Sequence, residues 1–173
     1  MADIAFTTTA GQTIGRELLI AYLNTGTSNS PVWSAIGKRV EDSSVEFDWQ
    51  ANTSTDVLGD TYTTARKPTT TQSFEPWNLD SGDAALVKIW NLAVKDKDVS
   101  ALTNQDMLIV HFYAANNWAE RYSSCAILPS SLGGEGGGVL GMPIDVTYGG
   151  TRTLGTAARN AETGVVTFTP DAA

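Results

Sequence analysis

The chain has 173 residues, of which 42% are hydrophobic, and it carries a formal net charge of −8 with a pI near 4.4. A chain of this length fits one domain and hides about 70% of its unfolded surface on folding, enough for a hydrophobic core. The acidic balance argues against independent nucleic-acid binding, because a binder needs a basic face that neutralises phosphates. We expect neither a secretory signal nor a membrane segment, since no basic start precedes an apolar stretch and no run approaches roughly 18 apolar residues.

The first half of the chain is rich in strand patterns. "RELLIAYLN" (Arg16–Asn24) and "WSAIGKRVE" (Trp33–Glu41) are predicted strands separated by a turn-rich segment. Val45, Phe47 and Trp49 then alternate with polar residues, which is the period of two of a strand with one apolar face. The Thr-rich segment from Thr61 to Lys67 also favours an extended backbone, and after a break at Pro68 this strand is expected to continue through Thr69–Trp77.

The segment between these strand patterns, Gln50 to Asp60, is too long for a local turn. Hairpins close in two to five residues, and longer loops in compact domains are usually functional or disordered. Only Val57 and Leu58 are apolar within it. The spacing predicts a protruding hairpin arm over about residues 50–60.

One amphipathic helix is predicted over about residues 81–97. Asp80 or Ser81 is the expected N-cap, with Asp83 in the first turn, where a carboxylate suits the helix dipole. Apolar residues follow at helical spacing, and we expect them to face a sheet of the same subunit while Lys88 and Asn91 lie outside. These apolar positions are Leu86, Ile89, Trp90 and Ala93.

Four further strands are predicted in the second half of the chain, around a central glycine-rich loop: Met107–Ala115, Trp118–Leu128, Gly141–Gly150 and Gly164–Pro170. Many strands with one helix indicate a mainly β fold. We expect two packed antiparallel sheets, a β-sandwich or barrel, with one flanking helix and a long protruding hairpin arm. No linker divides the chain, so residues 1–173 are predicted to form a single domain.

The sequence offers little catalytic chemistry. His111 is the single histidine and lies within a predicted strand, so a structural role is favoured over a hydrolase centred on it. Gly136, Gly138 and Gly141 match a dinucleotide fingerprint in spacing, but a strand pattern follows them where the fingerprint needs a helix. Cys125 stands alone, and no metal-ligand spacing appears. We therefore expect no enzyme activity, no cofactor and no bound metal.

The tryptophans leave a second binding hypothesis open. An exposed, coplanar set of tryptophans would make a sugar-stacking platform, as in a carbohydrate-binding β-sandwich module of a phage fibre or a glycosidase. The five tryptophans fall on different predicted elements, which favours packing in the core or at interfaces. They are Trp33, Trp49, Trp77, Trp90 and Trp118.

The order of several stretches resembles the major tail tube proteins of long-tailed, siphovirus-like bacteriophages. These stretches are "LGDTYTTARKP", "SFEPWNLDSGDAALVKIWNLA", "MLIVHFYA", a glycine-rich loop and "IDVTYGGTRTLGT…GVVTFTP". The resemblance covers nearly the entire chain. It implies two packed sheets with a flanking helix, and hexameric rings that stack into a tube through which genomic DNA is ejected.

The resemblance also implies partners and a location. The subunit would contact copies of itself, a tape measure protein, a tail terminator and distal tail proteins, in a virion tail assembled in the host cytoplasm and away from membranes. Some members of the family carry a C-terminal immunoglobulin-like domain, and these 173 residues are not expected to include one. DNA would pass through without specific binding.

Two sets of residues are the candidate functional sites. The arm would reach a neighbouring subunit or the next ring, with Val57 and Leu58 as apolar anchors. Its expected contact residues are Gln50, Asn52, Thr53, Thr55, Asp56, Val57, Leu58 and Asp60. An acidic channel wall would keep DNA mobile, and its candidates are Glu46, Asp48 and Asp145, which alternate with apolar neighbours.

Overall fold

The structure is a computed structural model that describes residues 3–172. Most of the secondary structure in this range is extended, and all strand pairs are antiparallel. The strands are β1 (Leu19–Asn24), β2 (Trp33–Ile36), β3 (Val45–Asp48), β4 (Asn52–Thr55), β5 (Thr61–Thr64), β6 (Thr69–Phe74), β7 (Gln105–His111), β8 (Trp118–Pro129), β9 (Ile144–Tyr148), β10 (Arg152–Arg159) and β11 (Val166–Pro170).

Nine of these strands belong to one sheet that is organised around the long strand β8. The order is β2-β1-β7-β8-β9-β6-β3, and β10 pairs with β8 and carries β11. The first part of β8 pairs with β7, and its last part pairs with β9. The register between β7 and β8 shifts where Gln105 lies opposite Cys125 but Met107 lies opposite Tyr122. Such a bulge bends a strand, so β8 belongs to both halves of the sheet.

The two halves of this curled sheet share one hydrophobic core. Leu23 and Met107 come from one half, Phe74 and Val146 come from the other, and all four are almost completely buried. A smaller core on the opposite face of β1 and β7 is covered by β10 and β11. The mainly β fold with a flanking helix and a protruding arm is confirmed, and its two facing layers are halves of one curled sheet.

The N-cap of the helix lies three residues after Asp80 and two after Ser81, the two predicted caps. The α-helix α1 runs from Ala84 to Trp90, and a π-helical turn continues it over Asn91–Lys95. Asp83 is the N-cap, because its carboxylate accepts hydrogen bonds from the backbone N–H of Leu86 and from the indole of Trp77, both at 3.1 Å. The predicted cap residue Asp80 instead lies in the preceding turn, where it pairs with Lys38 at 2.6 Å.

The predicted inner face of the helix is partly confirmed. Leu86 and Ile89 are buried, whereas Trp90 is half-buried. The expectation that Lys88 lies outside is wrong. Its Nζ donates to the backbone oxygen of Asn24 at 2.6 Å, and burial lowers the pKa of this amine.

Several predicted boundaries differ from the structure. Arg16–Leu18 forms a single 3₁₀ turn before β1, and β2 ends at Ile36 because Gly37 and Arg39 adopt positive φ. A short helix, α2 (Val99–Leu102), follows α1. Strand β10 was not predicted. No helix within residues 3–172 has the length and apolar character that crossing a membrane requires.

Candidate assembly interfaces

Strands β4 and β5 form a ribbon that is separate from the main sheet. Asn52 lies opposite Thr64 and Thr55 lies opposite Thr61, while β3 pairs with β6. The predicted arm at residues 50–60 is therefore too short, because Thr61–Thr64 folds back along it. The whole excursion leaves β3 after Asp48 and returns at Thr69.

Short-range hydrogen bonds hold the ribbon and its turn. The hydroxyls of Thr53 and Thr63 lie 3.0 Å apart across the strands. At the turn, the Asp56 carboxylate accepts hydrogen bonds from the backbone N–H groups of Leu58 (2.9 Å) and Asp60 (3.0 Å). Gly59 has a φ of +90°, a conformation that glycine adopts without steric cost. The turn is thus defined by its own side chains.

The tip of the ribbon presents two apolar side chains to solvent. Val57 is 101% exposed and Leu58 is 84% exposed. The other predicted arm residues are also exposed and lie in the same projection: Gln50, Asn52, Thr53, Thr55, Asp56 and Asp60. A two-stranded ribbon is marginally stable alone in water, so the structure brings the predicted contact residues together on an element that lacks a packing surface of its own.

The aromatic residues at the end of β3 are not buried as their alternation indicates, although Phe47 shares the sheet face of the core residue Tyr148. Phe47 is 57% exposed and Trp49 is 55% exposed, and their rings lie 6.5 Å apart. β3 is the last strand in the order of the main sheet, so no further strand covers its outer side. This exposed aromatic pair at the base of the arm is a second apolar surface.

The three predicted channel-facing carboxylates lie on one face of the sheet. Glu46 is opposite Thr71 of β6, Thr71 is opposite Thr147 of β9, and Thr147 shares its face with Asp145. Asp48 is two residues from Glu46 on β3 and shares that face. All three carboxylates are exposed.

The other side chains on this face are uncharged, and most of them are small. Its hydroxyl side chains are Thr69, Thr71, Ser73 and Thr147, and β8 adds Ala126 and Leu128. The paired stretches of β3, β6, β9 and the end of β8 contain no lysine or arginine. The sheet therefore presents one acidic, hydroxyl-rich face, which we call the acidic face.

A buried carboxylate links three strands near the other end of β8. Glu120 accepts hydrogen bonds from His111 of β7 (3.0 Å), Tyr122 of β8 (2.9 Å) and Arg152 of β10 (2.6 Å). Burial pushes the pKa of Glu120 upward, but the donors from His111, Arg152 and Tyr122 outweigh it and hold this pKa below its ordinary value. No local sequence pattern predicts this network, because its members meet only when β7, β8 and β10 pair.

His111 is fully engaged in this network. Its Nε2 faces Glu120 and its Nδ1 lies 2.8 Å from the hydroxyl of Tyr113, with no serine among its hydrogen-bond partners. Cys125 is buried, which raises the pKa of its thiol to about 12. The described residues contain no cluster of three His, Cys, Asp or Glu side chains that could hold a metal ion. The hydrogen bonds of His111 and the burial of Cys125 are typical of residues with a structural role.

Comparison with known proteins identifies related folds. No family model matches the chain. No curated protein matches it either. Among solved structures, the sheath/tube terminator of an extracellular contractile injection system (PVC) in its extended state is similar, with a TM-score of 0.53 and 10% identity, over 84% of this chain and 99% of that one. The tube-terminating cap of the anti-feeding prophage is similar with a TM-score of 0.50 and 11% identity, over 87% and 95% of the two chains.

These likenesses define the fold. The first neighbour is a component of an extracellular contractile injection system and the second is a tube-terminating cap, and each match extends over nearly the full length of the neighbour. The chain thus shares the fold of these two proteins, and the specific likeness to a siphovirus major tail tube protein remains a hypothesis from the sequence.

Proposed function

We propose that this chain is a structural subunit of a phage tail, and that it assembles into hexameric rings stacked as a tail tube. The observation that carries this proposal is the arm, whose apolar tip residues Val57 and Leu58 are almost fully exposed. Burying a valine or leucine side chain contributes about 1.5–3 kcal/mol. A contact with another subunit would supply the surface that this ribbon lacks.

The acidic face supports a role in DNA passage. Glu46, Asp48 and Asp145 share one sheet face without a lysine or arginine beside them. Each cation paired with a phosphate would add affinity through counterion release, so a wall of carboxylates and hydroxyls keeps DNA mobile. In the proposed tube this face lines the channel.

The remaining assignments follow from the same proposal. The subunit belongs to the virion tail and is assembled in the host cytoplasm, where it contacts copies of itself, a tape measure protein, a tail terminator and distal tail proteins. It performs no enzymatic reaction, and DNA passes without specific binding.

A second candidate function is a tube terminator or cap. It is favoured by the two solved structures that share this fold, which are a terminator and a tube-terminating cap. A terminator would close one end of a tube and would not polymerise by itself. Purified terminator would therefore give single rings or monomers where a tube subunit gives long tubes.

The sugar-binding alternative finds less support in the geometry. Such a platform needs several exposed coplanar tryptophans, and among the described residues only Trp49 is exposed. Its aromatic neighbour Phe47 is tilted by 38°. If the purified protein binds no sugar on a glycan array, this alternative is refuted.

The arm is tested by replacing its tip. Val57→Ser/Leu58→Ser should leave the monomer folded, because neither side chain contacts the body, and it should abolish stacking. Val165→Ser is the matched control, since Val165 is 58% exposed in a different loop. Normal tubes from the tip variant in electron micrographs would refute the stacking role of the arm.

A further inference from the structure

The arm and a small apolar pocket lie at opposite ends of the same half-sheet. The arm leaves the sheet where Asp48 pairs with Thr69. The opposite end is marked by Ile144, which pairs with Phe74 and Pro129. The pocket opens beside Pro129, so it lies at the end away from the arm.

This pocket is uncharged and mostly apolar. It has a volume of about 290 Å³ and lies between the helical segment after α1, α2 and the start of the glycine-rich loop. About ten waters at ~30 Å³ each would fill that volume, which leaves room for one valine and one leucine side chain. Its apolar lining residues are Ala93, Val94, Leu102, Leu128, Leu132 and Met142.

We propose that this pocket receives the Val57–Leu58 tip of a second copy of the chain, which names the partner surface of the arm and rests on the proposed function. In a stack of copies aligned along the strands, the arm end of one copy faces the pocket end of the next. The eight residues from Trp49 to Val57 span at most about 26 Å at ~3.3 Å per residue, which sets the reach of the tip toward the next copy. A contact between two different surfaces propagates from copy to copy.

Charge distinguishes this pocket from a larger groove on the same subunit. The tip carries the carboxylates of Asp56 and Asp60 beside its apolar pair. The larger groove, of about 710 Å³, is lined by Glu17, Glu41 and Asp83 as well as by Arg16 and Lys38. Its wall carries carboxylates, Glu17 and Glu41 among them, that oppose an acidic tip, whereas the lining of the small pocket carries none.

A complementary charge lies on the segment that joins two lining residues of the small pocket. The turn that joins Val94 to Leu102 carries Lys97, which is exposed and forms no salt bridge within residues 3–172. The acidic residues of this turn are already engaged. Asp96 lies 3.6 Å from Lys95, and Asp98 caps α2 by accepting from the backbone N–H of Ala101 at 2.9 Å. Lys97 is therefore the cation available to Asp60 of a docked tip.

The contact can be trapped with cysteines on separate molecules. Protein carrying Leu58→Cys is mixed with protein carrying Leu132→Cys, assembled and oxidised, and dimers are measured on a non-reducing gel. Leu58 and Leu132 are both exposed, so neither change disturbs the core, and the native Cys125 is buried. A disulfide requires Cα atoms within about 7 Å, so this mixture should give at least about tenfold more dimer than Leu58→Cys mixed with Val165→Cys.

A charge exchange gives an independent measurement. Lys97→Glu and Asp60→Lys should each raise the protein concentration needed for tube formation, and the two changes together should restore it. Tubes that form without the Leu58–Leu132 cross-link, and without rescue by the exchange, would overturn the pocket assignment while leaving the tube function intact. Wild-type protein that forms neither rings nor tubes would overturn the proposed function itself.

Discussion

Replacing Asp83 with alanine should destabilise the subunit strongly, because one carboxylate serves two buried partners. Asp83 is 5% exposed and Trp77 is completely buried. The carboxylate caps α1 through the N–H of Leu86 and also accepts the indole N–H of Trp77. Asp83→Ala removes both acceptors at once.

The size of the effect follows from these two contacts. Loss of an N-cap costs about 0.5–2 kcal/mol, and a buried donor left without a partner costs about 1–3 kcal/mol. We therefore expect a loss of roughly 3 kcal/mol in the free energy of unfolding, a large share of the 5–15 kcal/mol typical of a domain. Asp80→Ala is the matched control in the same loop, and it should cost less, because Asp80 is half-buried and its partner Lys38 is an exposed side chain.

Urea unfolding of the monomer measures this prediction, with a double-mutant cycle to separate the two contacts. Trp77→Phe removes the indole donor, so in that background Asp83→Ala should cost only the cap, about 1 kcal/mol. A loss below about 0.5 kcal/mol for Asp83→Ala alone, or equal losses in both backgrounds, would refute this account of the helix start.

Three further predictions concern the buried network, the acidic face and the helix. The pKa of Glu120 lies below the ordinary glutamate value of 4.5, so the ionised carboxylate stabilises the fold above pH 4.5, and this stabilisation is lost as the pH falls through the lowered pKa. Glu120→Gln should therefore flatten the fall in the free energy of unfolding below about pH 4.5. An unchanged acid profile would contradict the role of the network. Glu46→Lys/Asp48→Lys should change stability by no more than about 0.5 kcal/mol yet slow genome ejection most at low salt; unaltered ejection rates would count against an acidic channel. Trp90→Ala should cost about 1–3 kcal/mol in urea titration, less than a fully buried tryptophan, because its ring is half-buried; a loss above about 4 kcal/mol would show complete burial.

Periodicity predicted which residues share a face, but not what covers that face. In β9 the alternation of Ile144, Asp145 and Val146 matches the structure, because the helix and the opposite half-sheet cover the apolar side. In β3 the same pattern was misleading. Phe47 lies in an edge strand and Trp49 follows it at the base of the arm, where the described part of the subunit leaves more than half of each side chain exposed.

The helix and strand β10 show two other limits of local patterns. Asp80, Ser81 and Asp83 are all residue types that favour an N-cap position. Asp83 is the N-cap in the structure, where its carboxylate also accepts the indole N–H of Trp77, a contact that a local pattern does not show. β10 escaped prediction because it is built from small residues. At Gly155 a Cβ atom would clash with the backbone oxygen of Thr169, so the close pairing with β11 requires glycine there.

Of the two candidate surfaces, the sequence predicted the arm but not the pocket. The arm was visible in the sequence because it is contiguous and polar apart from its tip. The receiving pocket was not visible, since Leu128, Leu132 and Leu102 come from separate elements that only the fold brings together.

Electron microscopy of the purified wild-type chain at high concentration tests the proposed tube function most directly. We expect hollow tubes built of stacked sixfold rings, with the acidic face toward the channel. Dispersed particles at every concentration, or tubes whose channel is lined by lysine and arginine, would contradict it.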